Sequence, residues 1–148
     1  MRAFLFAMTL LFAASALAAD IGLVKVSSGA VFIERSGAKL KAEVGTAVQV
    51  SDVLRTGADG SAGITFSDNS LLSIGPNTVF EIDKYRFDST TYAGEFMGSL
   101  KQGRLAAISG KMVKQSPESM KIRTPSAVMG VRGTEFVVQV DEPVAASR

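Results

Sequence analysis

Ser61-Ala-Gly-Ile-Thr-Phe-Ser-Asp-Asn-Ser-Leu-Leu-Ser-Ile-Gly-Pro-Asn-Thr78 carries the reading of the fold. Ala62, Ile64 and Phe66 alternate with Ser61, Gly63 and Thr65, which is the two-residue period of a strand with one buried and one solvated face. Ser67-Asp-Asn-Ser70 and Gly75-Pro-Asn77 are turn chemistry on either side of Leu71–Ile74. The same period recurs along the chain. Val24 and Val26 alternate with Lys25 and Ser27, and Val31 and Ile33 resume the alternation beyond the Ser28-Gly29 turn. Ser36-Gly37 makes a further break. Phe80 and Ile82, then Phe136, Val138 and Val140, repeat the pattern. Turns every eight to twelve residues or so, with no strict repeat, predict an all-β domain of many short strands in a sandwich, barrel or solenoid. Two polar segments, Lys84–Gly94 and Ser109–Ser119, read as loops.

A second stretch, Thr124-Pro-Ser-Ala-Val-Met-Gly-Val-Arg-Gly-Thr-Glu-Phe136, predicts a corner between two extended segments. Pro125 fixes its own φ and pushes Thr124 towards an extended backbone. Gly130 and Gly133 permit angles closed to β-branched residues. Arg132 then stands at the tip, ahead of Thr134. Upstream, Arg55-Thr-Gly-Ala-Asp-Gly-Ser-Ala62 leads into the first stretch, so that Arg55, Gly57, Gly60, Asp68, Gly75 and Pro76 form one turn-rich pattern.

These two motifs, R-T-G-x-x-G-x-A-x-x-x-F-x-D-x-S-x-L-x-x-G-P-x-T and T-P-x-A-x-x-G-V-R-G-T-x-F, together resemble the FecR-type domain, the periplasmic part of the ferric-citrate regulator family. The resemblance spans about Ile21 to Val140. It implies a twisted, solenoid-like stack of β-turns and strands, with a sandwich-like stack as the alternative. It also implies an extracytoplasmic sensing or binding role. Full-length regulators add a cytoplasmic sigma-factor-binding segment, a transmembrane helix and often a further C-terminal signalling domain. The resemblance takes in none of these, so a stand-alone, secreted module is expected.

The N-terminus agrees with that compartment. Met1-Arg2 is a short positive region, Ala3–Leu17 is uncharged and mostly apolar, and Ala16-Leu-Ala18 is a small-x-small cleavage site. This is the pattern of a secretory signal peptide, residues 1–18, cut after Ala18. The apolar run is shorter than the ~20 residues of a spanning helix. Residues 19–140 then make one FecR-like domain and 141–148 a flexible tail, and the mature product is expected in the periplasm or outside the cell. The 47% hydrophobic fraction is inflated by the leader. Losing Arg2 from 16 basic residues leaves 15 against 14 acidic ones, a balance that argues for neither nucleic acid nor anionic membrane.

His and Cys are both absent. That removes Ser-His-Asp and Cys-His nucleophilic sites and the usual zinc and redox-metal sites. Ser109 with Lys111, and Ser116 with Lys114, match no Ser-Lys enzyme pattern and read as a solvated basic loop. Gly110-Lys111 is followed by Met112, which rules out a phosphate-binding loop. Glu81, Asp83 and Asp88 read as solubility residues rather than a paired-carboxylate site. Asp59, Asp68 and Asn69 carry oxygens suited to calcium but lack the spacing of a calcium loop, and read as turns. No metal and no cofactor is expected.

Binding is the chemistry left. Arg55 and Arg132 each offer a planar donor fork for recognition, or a clamp on backbone carbonyls or one of the aspartates; the clamp is favoured. Tyr85, Phe87, Tyr92 and Phe96 could form a stacking surface or cover the end of a sheet. The leading expectation is a non-enzymatic module that contacts a periplasmic or membrane protein partner. An envelope-associated structural protein that binds glycan or peptidoglycan is the alternative.

Overall fold

The computed structural model describes residues 18–141. The expected leader therefore lies outside the described residues but for Ala18, and the expected tail but for Asp141. The chain order is β1 (Asp20–Ser28), β2 (Val31–Arg35), β3 (Ala38–Lys41), β4 (Ala47–Gln49), β5 (Val53–Thr56), β6 (Ser61–Phe66), β7 (Leu71–Ile74), β8 (Val79–Phe87), β9 (Gly94–Ile108), α1 (Lys111–Gln115), β10 (Met120–Arg123), β11 (Val128–Gly130) and β12 (Glu135–Val140). The all-β class of short strands is borne out, and its form is a curled, largely antiparallel sheet, a half-barrel.

The long strand β9 is the spine. Its N-terminal part pairs with β8 on one edge and, in parallel, with β10 on the other. Its C-terminal part pairs with β7 and β12. Arg104 turns its backbone to β7 and β8 together: its carbonyl accepts from Gly75 N at 3.0 Å and its N–H donates to Thr78 Oγ1 at 3.1 Å. Both groups of one strand residue point to one edge, so β7 and β8 lie end to end along β9. From there β6, β1 and β4 extend one half of the sheet, and β5, β2 and β3 the other.

The break between β7 and β8 is filled by two threonine hydroxyls. Thr56 Oγ1 donates to Gly75 O at 2.6 Å and accepts from Thr78 N at 2.9 Å. Gly103, with φ of +93°, lets the spine bend against Thr78. A side chain there would collide with the threonine, so only glycine fits.

The core lies inside the curl. Phe66 stacks on Tyr85, with ring centroids 5.5 Å apart, and meets Phe96 edge-on at 5.2 Å. Phe80 completes the cluster above Gly98, whose missing side chain makes room for the ring. Ile33, Leu54, Ile64, Leu72 and Leu105 surround it, all buried.

Alternation predicts the buried face of β2, β6 and β12 correctly. It fails at Val26, which is 59% exposed. The β1–β6 register shifts between Val24 and Val26, and an extra residue in one strand sends the next side chain to the opposite face. Two loop expectations also need correction. Pairing carries β8 as far as Phe87 and starts β9 at Gly94, so the loop shrinks to Asp88–Ala93. Within Ser109–Ser119, Lys111–Gln115 winds into α1 because Met112 and Val113 gain burial against the core.

Candidate functional site

The Thr124–Phe136 stretch leaves one half of the sheet and enters the other. β11 pairs with β10, whereas β12 pairs with β9. Thr124 and Ala127 close the hairpin between β10 and β11: Thr124 N donates to Ala127 O at 2.8 Å, and Ala127 N donates to Thr124 Oγ1 at 3.2 Å. Pro125 and Ser126 occupy the tip, where a preset φ costs nothing. Val131 is then buried and its N–H donates to Met120 O at 3.0 Å.

Gly133 has φ of +104°, the left-handed region that glycine admits. Ser109 ties this bend to the end of β9. Its Oγ donates to Gly133 O at 2.8 Å and its N–H to Thr134 O at 2.8 Å. Ser109 therefore locks the corner and is no free nucleophile. No local signal marks it for this role, because its partners are more than twenty residues away. Gly130 has ordinary backbone angles, and a side chain there would meet open space.

Arg132 stands at the tip with its side chain 79% exposed. Among the described residues it meets Glu118 at 3.5 Å, itself 76% exposed, and it binds no backbone carbonyl. The clamp reading of Arg132 thus gives way to a solvated guanidinium. The local reason is that Val131 takes the buried side of the bend, leaving the next side chain outside. Val128 and Met129 are exposed beside it. Arg55 differs: its Nε pairs with Glu34 Oε1 at 2.6 Å, linking β5 to β2, with both side chains near half exposure.

The turn motif residues serve the frame. Gly60 N donates to Gly57 O, and Asn77 N, just after Pro76, donates to the same carbonyl at 3.1 Å. Asp59 Oδ1 accepts from Ala30 N at 3.3 Å. Asp68 is buried; its Oδ1 accepts from Ser70 N, Ser70 Oγ and Tyr85 Oη. The Asp68 carboxylate closes its own turn, and that of Asp59 ties its turn to the one at Gly29-Ala30.

Of the four aromatics, Tyr85 and Phe96 belong to the core. Tyr85 Oη also accepts from Asp68 N at 3.1 Å. Burial pushes the Tyr85 phenol up to about 12. The bulge between Ile82 and Lys84 is what turns Tyr85 inwards. Phe87 and Tyr92 do face one another at the outer turn, 6.2 Å apart and parallel, with Lys111 Nζ 5.1 Å from the Tyr92 ring. Asp88 begins that turn, and the Thr91 and Thr90 N–H groups hold its carboxyl below the usual range. Glu81 pairs with Lys101 at 2.9 Å, and Asp83 accepts from Ser99 Oγ.

Each sequence-selected arginine thus has its own acidic partner, on a different element, whereas Asp68 and Tyr85 come together in the core. No helix among the described residues is long and apolar enough to cross a membrane. No curated protein and no solved structure matches the chain. The family model described as FecR protein matches residues 52–147, a span that takes in both motifs and well over half the chain, and the chain therefore belongs to the FecR family.

Proposed function

We propose that this protein is a non-enzymatic, extracytoplasmic binding module that signals through protein–protein contact, with the glycine corner as its contact element. Export by removal of residues 1–18 places it in the periplasm, where its partner is a membrane or envelope protein. The reading rests on family membership and on one observation. Arg132, a motif residue, points a solvated guanidinium outwards and, among the described residues, pairs only with an exposed Glu118. An arginine that spends so little on the fold is available to a partner carboxylate.

The test uses Arg132→Ala in the secreted protein. An exposed ion pair contributes about 0–1 kcal/mol, so the melting temperature should stay almost unchanged. Crosslinking in whole cells should capture a defined envelope protein with the parent chain and lose it with the variant. A fall in melting temperature that tracks the loss of capture would refute the contact role. Sedimentation with purified cell wall, without any protein capture, would favour the glycan-binding alternative. N-terminal sequencing should begin at Ala19.

A further inference from the structure

We infer that β12 is a homodimerisation edge, at which two copies of this chain pair their β12 strands antiparallel about a two-fold axis at Val137. The inference goes beyond the partner contact at Arg132 and uses different residues.

Hydrogen-bond accounting leads to it. Ser109 N donates to Thr134 O, and the β12–β9 register runs from Glu135 opposite Ile108 to Val140 opposite Gly103. Bonded pairs then fall at Phe136, Val138 and Val140. Glu135, Val137 and Gln139 turn their N–H and C=O groups away from β9. Arg104 shows the same parity from the other side, since its own groups go to Gly75 and Thr78. Among the described residues, β12 has no second partner strand.

Open edges are normally blunted by lysine, proline, bulges or brevity. The other edges of this sheet follow that rule. β3 carries Lys39 and Lys41, β4 is three residues long, and β11 is three residues long. β12, six residues reading Glu-Phe-Val-Val-Gln-Val, has neither lysine nor proline and keeps an unbroken register. A groove of about 440 Å³ runs beside its C-terminal half, bounded by Ala127 and Met129 of the β10–β11 hairpin.

The edge is also complementary to itself. With the axis at Val137, each outward N–H and C=O of Glu135, Val137 and Gln139 finds a partner. Val137 faces Val137 of the second copy, and Glu135 faces Gln139. The amide of Gln139, which now donates to Asp141 at 2.9 Å, then lies opposite a carboxylate acceptor. No like charges face each other. Val137, Ile108 and Leu71 are all partly exposed on the outer face, so pairing continues an apolar surface across the axis.

The chain has no cysteine, so Val137→Cys introduces a single thiol. Mild oxidation of the purified secreted protein should give a disulfide-linked dimer with Val137→Cys and none with Ser73→Cys, also on the outer face. Sedimentation equilibrium should show the parent chain dimerising. Gln139→Glu sets carboxylates opposite each other at both ends of the pairing and should raise the dimer dissociation constant about tenfold. Adding Glu135→Lys to that variant should restore it. Circular dichroism and the melting temperature of each variant verify the fold. A monomer at every concentration up to the hundreds of micromolar, or a dimer indifferent to Gln139→Glu, would overturn the inference. Capture of an envelope protein at Arg132 bears on neither outcome.

Discussion

Phe66 touches both Tyr85 and Phe96, so its truncation would empty the centre of the aromatic cluster. Phe66→Ala should cost about 3–5 kcal/mol, read as a lower midpoint in urea unfolding. Tyr85 gives a second measurement at this scale. Its phenol is held up at about 12, against 10.0 in the unfolded chain. Above pH 10 the unfolded state therefore binds fewer protons than the native one. The stability linked to Tyr85 is full below pH 10 and is lost as pH rises through about 12. Absorbance at 295 nm should show a phenolate step near pH 12 that Tyr85→Phe removes. The sequence leaves Tyr85 between a stacking surface and a cover over the end of a sheet, because polar residues surround it. Its burial depends on a bulge two residues earlier, and a single strand's sequence does not reveal where its partner slips.

The junction of β7 and β8 shows what an element needs beyond alternation. Two strands end to end along one spine leave a gap in the hydrogen-bond ladder, and Thr56 and Thr78 supply the missing groups. Thr78→Val keeps the shape but leaves the Arg104 N–H without its acceptor. The loss should be about 1–3 kcal/mol with an unchanged denaturant slope, because no additional surface is exposed. Loss of less than the error of the urea midpoint would mean that water replaces the hydroxyl. Both threonines lie inside the sequence motif, at Arg55-Thr-Gly57 and Gly75-Pro-Asn-Thr78. The motif shows that a turn is there; the spine residue that makes the hydroxyls necessary, Arg104, is more than twenty residues downstream.

At the scale of the molecule, β9 belongs to both halves of the half-barrel, which predicts that neither half unfolds alone. Circular dichroism and tyrosine fluorescence should report one coincident transition in denaturant. Separate midpoints would show that the halves are independent. The two-residue period and the glycine and proline punctuation determined an all-β chain by themselves, because they act through local backbone geometry, and the lack of His and Cys removed the Ser-His-Asp, Cys-His and usual zinc sites through side-chain chemistry. They also marked the corner at Gly133, whose φ of +104° follows from what glycine alone tolerates. Which strand pairs with which was decided only by tertiary structure. So were the outward face of Val26, the burial of Tyr85, the solvation of Arg132 and the open edge of β12. Each depends on register between segments far apart in the chain, and a slip of one residue exchanges the buried and exposed faces of a strand.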